Sequence, residues 1–203
     1  MKGNRGGRPG AIGAAAQQQQ PEPMNRRDQR QSDRQEFRRG GTAERYKMRE
    51  KLVSFGDDFW IENEQGRRAY KVDGKMLRVR DTLVFEDTSG RELVRLQSKL
   101  VTIRDKIKIE RVGGQSAVIV KDLINILGDD FVLKIDGGDE IHLKGNFFDH
   151  EYEFFRGRDK IGEVSKKWFR FADTYGVQIS AGEDDIMLLA ATVAMDQMSH
   201  DVR

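Results

Sequence analysis

The 203-residue chain has no cysteine, only three prolines and no long apolar run. Without cysteine it cannot form a disulfide framework, a thiolate zinc site or a cysteine nucleophile. The absence of cysteine also suits a protein of a reducing compartment. Its apolar stretches fall well short of the roughly 20 residues that a membrane-spanning helix needs. Near the N-terminus, Ala11–Ala16 is too short for the apolar core of a signal peptide. We therefore expect a cytoplasmic protein without a transmembrane segment.

Charge divides the chain into two unlike parts. Residues 1–50 carry twelve Lys or Arg against six Asp or Glu, a net of +6, whereas the remainder carries 24 against 28, a net of −4. The first part contains the glutamine run Gln17–Gln20 and has few aliphatic side chains whose burial could offset the entropy of ordering. We predict a disordered basic tail at residues 1–45 and a folded domain at residues 46–203.

A repeat of 24 residues runs through the domain and predicts its secondary structure. Each unit alternates apolar and polar residues, which is typical of a strand with one buried and one solvated face. A glycine falls in a short polar turn, where left-handed backbone is needed. Six units, the last incomplete, predict about eleven strands, and Tyr46–Arg49 is a candidate for one more. The residues that recur at this spacing are Gly66, Gly90, Gly114 and Gly138; Asp57, Asp81, Asp105 and Asp129; and the apolar sets Phe59, Leu83, Ile107, Phe131 and Ile61, Phe85, Ile109, Leu133.

The pattern changes after Gly182, where the acidic triplet Glu183–Asp185 precedes the apolar run Ile186–Met195. Acidic residues before such a run fit a helix N-terminus, and a helix that is apolar on every side must be buried on every side. About twelve strands enclose a lumen too wide for their own side chains to fill, and a helix about 10 Å across fits as its plug. The sequence predicts a mainly β fold, a closed antiparallel β-barrel of about 12 strands around a central hydrophobic C-terminal α-helix. The alternative is a β-solenoid of 24-residue coils capped by the helix.

Five segments make the domain resemble the LURP-one-related (LOR) family, a branch of the tubby C-terminal-like superfamily, to which phospholipid scramblases are also related. They are Lys51–Phe59, Tyr70–Phe85, Lys144–Tyr152, Val164–Asp173 and Gly182–Met198. The resemblance implies the helix-filled barrel. It also implies two functional themes, because tubby proteins bind phosphoinositides through a basic surface and scramblases handle membrane lipids. The chain lacks the cysteine-rich acylation segment, the Pro-rich tail and the long C-terminal membrane helix of scramblases, so we do not expect lipid translocation.

Basic residues expected to face outward form the candidate site for an anionic headgroup. Trp168 lies among them, and its place in the alternation puts it outside the sheet together with Arg170. Lys and Arg around an exposed aromatic ring suit a phosphate headgroup with the ring at the membrane interface. The competing interpretation is an ordinary solvated exterior, because acidic residues are interspersed. The six candidates are Arg78, Arg80, Lys166, Lys167, Trp168 and Arg170.

The sequence predicts no catalytic residue, no cofactor and no metal site. The three histidines lie far apart and form no metal-ligating pair on one helix. His150 is interpreted as a solvated side chain in a loop between strands. The triplet Glu183–Asp185 lies where scramblases carry a calcium-responsive segment, but it lacks the spacing of a calcium loop, and helix capping explains it.

We therefore expect a non-enzymatic barrel that binds anionic phospholipid or a membrane surface, peripherally at the inner face of the membrane. The alternative is a protein- or nucleic-acid-interaction module that uses the basic N-terminal tail, although Phe37 is the only aromatic residue of that tail available for base stacking. A carrier that binds a small ligand in the barrel interior is disfavoured, because the helix is expected to occupy that volume.

Overall fold

The computed structural model describes residues 43–49, 59–73, 82–98, 106–121, 130–169 and 174–200, which form twelve strands and one helix. The strands are β1 (Glu44–Arg49), β2 (Phe59–Asn63), β3 (Arg68–Asp73), β4 (Thr82–Asp87), β5 (Glu92–Ser98), β6 (Lys106–Arg111), β7 (Ala117–Lys121), β8 (Phe131–Ile135), β9 (Glu140–Asn146), β10 (Glu151–Arg156), β11 (Asp159–Ser165) and β12 (Thr174–Ile179). The helix, α1, is Asp185–His200.

The strands close into a single antiparallel barrel. Each strand pairs with its neighbours in the chain, and β1 joins β2 on one side to β12 on the other. Closure leaves no strand edge with unpaired backbone groups. The predicted closed antiparallel barrel is confirmed, and the solenoid alternative is excluded. The candidate segment Tyr46–Arg49 belongs to the strand that closes the ring.

Each of the first four repeat units is one β-hairpin, with its glycine turn at one end of the barrel. Gly66 and Gly90 have φ of 73° and 81°, and their amides donate to the carbonyl oxygens of Asn63 and Asp87. The third hairpin departs from the strict spacing, because Gly113 and not Gly114 takes the positive φ there. The repeat therefore predicts the hairpins correctly and misplaces one turn residue by a single position.

The repeated apolar positions point into the barrel. Ile61, Phe85, Ile109 and Leu133 stand 24 residues apart and are completely buried. The second set of repeated apolar positions also faces the core. Leu83, Ile107 and Phe131 belong to the core, and Phe59 packs against it. The recurrent aspartates Asp57, Asp81, Asp105 and Asp129 lie outside the described residues.

Helix α1 runs through the centre of the barrel. Every residue from Met187 to Met198 is buried, and because successive helical residues are turned by about 100°, burial of this whole stretch means that all sides are covered. The helix contacts β6 and β12, which lie opposite each other in the ring. The helix therefore forms the middle of the core. Each of its fully buried aliphatic side chains contributes about 1.5–3 kcal/mol to the free energy of folding. Among the described residues, no helix is long and apolar enough to cross a bilayer.

The two ends of the barrel are formed by different turns and segments of the chain. The hairpin end contains the glycine turns, the β10–β11 turn at Gly157 and the start of α1 at Asp185. The far end contains the turn Phe147–His150 between β9 and β10, the segment Lys166–Trp168 that follows β11, and the last turns of α1.

Candidate functional site

The structure describes three of the six predicted headgroup residues, and they are consecutive. Lys166, Lys167 and Trp168 follow the last residue of β11 at the far end of the barrel. The other candidates, Arg78, Arg80 and Arg170, lie outside the described residues. The candidate site is therefore described here around the Lys166–Trp168 segment.

Trp168 lies on the outside of the barrel wall, but its ring is not exposed. The residue is only 8 % exposed, because the ring packs on Gly176 of β12, where a Cβ atom would lie 2.9 Å from Trp168 Cζ3. The neighbours of Gly176, Tyr175 and Val177, belong to the core, so the ring covers the outer face of that strand. The expectation of an exposed aromatic side chain at position 168 is wrong. Alternation gave the correct side of the wall but could not show that a glycine on the next strand leaves room for the indole.

Phe148 supplies an exposed aromatic ring at the same end. It is 46 % exposed and lies in the turn Phe147–His150. The turn borders the Lys166–Trp168 segment, because Glu151 follows it directly and accepts hydrogen bonds from Ser165 and from the backbone of Lys166.

Glu151 also fixes the position of the lysines beside the turn. Its Oε1 accepts from the backbone N–H of Lys166 at 3.0 Å, and its Oε2 lies 2.8 Å from Nζ of Lys167. The Lys167 side chain is still 56 % exposed. Lys144, near the end of β9, is exposed as well, and its Nζ lies 5.8 Å from the ring centroid of Phe155. Phe155 pairs with His142 and so lies towards the hairpin end. We therefore leave Lys144 out and call Phe148, Lys166 and Lys167 the basic edge.

His150 ties the turn to the inside of the barrel, so its interpretation as a solvated histidine is wrong. The residue is 3 % exposed, and its Nε2 lies 2.6 Å from Oδ1 of Asp196 on α1. The ring stacks on Tyr175 with centroids 4.4 Å apart. The Tyr175 hydroxyl donates to Oδ2 of Asp196 at 2.6 Å, so both carboxylate oxygens accept hydrogen bonds.

Histidine, aspartate and tyrosine are residue types that serve as general acids and bases, but this cluster is closed to solvent. Asp196 and Tyr175 are even less exposed than His150, at 2 % and 0 %. Burial, and next the charge of Asp196, raise the pKa of the adjacent Tyr152 well above its ordinary value. A substrate in solvent has no contact with these groups.

A sequence signal for this cluster existed in Asp196 itself. It is the one charged residue between Ile186 and Met198, and a carboxylate buried in an apolar helix requires hydrogen-bond donors. The sequence could therefore have predicted that donors approach position 196. It could not identify them, because His150 is 46 residues away along the chain.

At the hairpin end, Asp184 and Asp185 attach the start of α1 to the barrel rim. Oδ1 of Asp184 accepts from the backbone N–H of Met187 at 3.1 Å, and its other oxygen pairs with Arg111. Tyr46 donates its hydroxyl to Asp185 at 2.8 Å. Burial raises the pKa of Asp185, although the hydrogen bond from Tyr46 opposes that shift. The helix-capping interpretation therefore holds for Asp184, whereas Asp185 pairs with Tyr46.

Glu183 completes the charged rim. Nη1 of Arg156 lies 2.6 Å from each Glu183 carboxylate oxygen, and its Nε donates to Asp139 at 3.0 Å. An open depression of about 420 Å³ lies beside this rim, lined by Tyr70, Arg111 and residues 182–186. The acidic side chains that line it are already paired with Arg156, Arg111 and Tyr46.

The family follows from comparison of the whole domain. A model of the LURP-one-related family matches residues 44–196, a span that includes all twelve strands and most of α1. The chain belongs to the LURP-one-related family. Comparison with curated proteins found no match. Among solved structures, this LURP-one-related chain is similar to a protein from Arabidopsis thaliana known from X-ray work, with a TM-score of 0.53 and 17 % identity over 76 % of this chain and 90 % of that chain. That likeness concerns the fold alone.

The outer wall of the LURP-one-related barrel away from the far end carries many cross-strand ion pairs. Lys47 lies 2.7 Å from Glu62, and Lys71 lies 3.7 Å from Glu86. Two more pairs cross between strands, Lys134 with Glu140 and Lys160 with Glu153, and Lys108 pairs with Glu110 along β6. For these strands the competing interpretation, an ordinary solvated exterior, describes the surface well.

Proposed function

We propose that this LURP-one-related barrel is a non-enzymatic module that binds an anionic membrane surface with its far end. The observation that carries the proposal is the exposed ring of Phe148 in the turn that borders Lys166 and Lys167. In this arrangement the ring enters the headgroup region, while the ammonium groups remain at the level of the lipid phosphates.

The expected affinity is modest and depends on salt. Each lysine near an anionic leaflet contributes about 1 kcal/mol, and the carboxylates of Asp149 and Glu151 oppose part of that attraction. Because the attraction is electrostatic, it weakens as ionic strength shortens the screening length. The basic N-terminal part of the chain adds attraction of the same sign. Such binding is peripheral, and we place it at the inner face of the membrane.

The closed interior supports a non-enzymatic role. The His150–Asp196–Tyr175 cluster is buried, and α1 occupies the space in which a barrel of this size would otherwise carry a ligand. The alternative function is protein or nucleic-acid binding by the tail, of which the structure describes only residues 43–45, and it stays a prediction.

Co-sedimentation with vesicles tests the proposal. The full-length chain should bind vesicles of phosphatidylcholine with phosphatidylserine more strongly than vesicles of phosphatidylcholine alone. Lys166→Ala and Lys167→Ala should each lower the affinity for the anionic vesicles by about fivefold at low salt, and Phe148→Ser should lower it as well.

Two controls are matched to these variants. Val112, 60 % exposed at the hairpin end, can be changed to Ser to remove an exposed apolar group elsewhere. Lys108→Ala and Lys134→Ala change the net charge equally on the outer wall. Equal, negligible binding of the wild-type chain to both kinds of vesicle would refute the proposed function. Equal losses for the far-end and control variants would refute the assignment to the basic edge.

A further inference from the structure

We propose that His150 and Asp196 form a latch through which the end of the central helix positions the membrane-contact turn. This inference rests on the proposed function, because it concerns how Phe148 of the basic edge is presented. According to this proposal, α1 does more than fill the barrel. Its buried carboxylate holds a surface turn in one conformation.

The backbone at His150 shows that the turn needs to be held. His150 has φ of 52°, a left-handed conformation that no other non-glycine residue among those described adopts. Non-glycine residues adopt this conformation uncommonly, although histidine does so more readily than most, and such a residue persists where its surroundings determine it. The turn Phe147–His150 would relax to other conformations without a compensating contact.

The compensating contact is the hydrogen bond to α1. Nε2 of His150 lies 2.6 Å from Asp196, and the Tyr175 ring stacks against the imidazole. A carboxylate accepts hydrogen bonds, and we assign Nε2 as the donor of this contact on that basis. Tyr175 donates to the second oxygen of Asp196, which fixes the carboxylate in turn. The latch is therefore preorganised from the helix side.

The geometry of the turn connects the latch to the exposed ring. Phe147 is buried at one side of the turn and packs edge-on against Phe131, with centroids 5.0 Å apart. The His150 amide at the other side donates to the Phe147 carbonyl oxygen at 3.2 Å. Phe148 and Asp149 lie between these two anchors and face solvent. The Asn146 side chain also holds Asp149, because it accepts from the Asp149 backbone N–H and donates to Oδ2. Release of His150 would therefore free one of the contacts that orient the turn carrying Phe148.

Stability alone does not account for an aspartate at position 196. Apolar side chains at position 196 and at its two partners would fill the barrel without a buried charge, and replacement of a whole buried network in this way is often neutral or stabilising. At the other end, the same helix is attached by carboxylates that are only partly buried. The buried carboxylate is placed where it can receive a hydrogen bond from the turn.

Two measurements on the full-length chain test the latch, with His150→Asn as the main variant. Asparagine tolerates left-handed backbone but cannot reproduce the imidazole contacts. We expect the amides of residues 147–151 to exchange with solvent at least about tenfold faster, as loss of a hydrogen bond to a charged group predicts. We also expect the affinity for phosphatidylserine vesicles to fall to the level of Phe148→Ser, with no further loss in the double variant, because both changes remove the same contact.

Tyr46→Phe is the matched control, since it removes a hydrogen bond to the same helix at the hairpin end. It should leave both measurements at wild-type values. Asp196→Asn keeps one acceptor oxygen, and its exchange rates at residues 147–151 should fall between those of the wild type and His150→Asn. It also provides the test if His150→Asn fails to fold.

Unchanged exchange at residues 147–151 in His150→Asn, or additive losses of vesicle affinity, would overturn the latch. If the wild-type chain binds no vesicles, the proposed function fails, and the exchange rates still decide whether His150 holds the turn.

Discussion

The two ends of α1 are both held by carboxylates, but in opposite environments. At the hairpin end, Glu183, Asp184 and Asp185 all keep some exposure to solvent, and each is paired with an arginine or a tyrosine. At the far end, Asp196 is buried and accepts from two buried donors. Exposed ion pairs contribute at most about 1 kcal/mol each, and salt screens them. Buried donors that lose their acceptor cost more, because water cannot replace it.

We infer from this difference that the two ends of α1 have different roles. The hairpin end sets where the helix starts, with several weak contacts that can be lost one at a time. The far end depends on one carboxylate, and that carboxylate also holds a turn of the surface. Changes at the far end should therefore affect both stability and the basic edge, whereas changes at the hairpin end should affect stability alone.

The largest expected effect comes from removal of the buried carboxylate. Asp196→Ala leaves the donors of His150 and Tyr175 unsatisfied, and we expect the free energy of unfolding to fall by about 3 kcal/mol. Asp185→Ala should cost about 1 kcal/mol or less, because burial already disfavours its ionised form. Urea unfolding followed by circular dichroism measures both values. Similar losses for the two variants would contradict the distinction between the ends.

A smaller effect is expected from Arg156→Gln at the hairpin end, which removes the ion pairs with Glu183 and Asp139. Arg156 is 39 % exposed, so the loss should be about 1 kcal/mol or less and should shrink in high salt. The loss in Asp196→Ala should stay nearly constant in the same salt series. A salt-independent loss in Arg156→Gln would mean that the rim is less accessible to ions than the structure indicates.

The smallest effect concerns a single hairpin turn. Hydrogen bonds from the Ser89 hydroxyl and then from the Arg91 backbone lower the pKa of Asp87 to about 2, from an ordinary value of 3.8. Because the folded pKa is the lower one, the stabilisation is present above the ordinary value and is lost as the pH falls towards 2. The difference in unfolding free energy between the wild type and Asp87→Asn should therefore shrink over that interval. A difference that does not change with pH would contradict the assignment.

Local patterns of the sequence predicted most of the fold. The 24-residue spacing specifies a hairpin, because strand alternation and turn glycines are properties of neighbouring residues. The helix was predictable for the same reason, since an apolar run from Ile186 to Met195 has no solvated face. These features needed no knowledge of which strands meet.

The parts of the site that the sequence missed depend on contacts between distant residues. Trp168 is buried because Gly176 lies on the adjacent strand, and His150 is buried because Asp196 lies at the end of a helix threaded through the barrel. Neither contact has a local pattern. The roles predicted for Lys166 and Lys167 stay predictions, as do those for Arg78, Arg80 and Arg170 outside the described residues.

The account depends most directly on the burial of α1 on every side, and thiol labelling measures this. The chain has no cysteine, so a single introduced thiol reports only its own position. Ala190, Ala191 and Thr192 are fully buried and, as consecutive residues turned by about 100° each, point to different sides of the helix, whereas Val112 is exposed. Cysteines at the three helix positions should react only as fast as the protein unfolds, while Val112→Cys should react at the rate of a free thiol. Rapid labelling at any one of the three would place that side of the helix in water and contradict the helix-filled barrel.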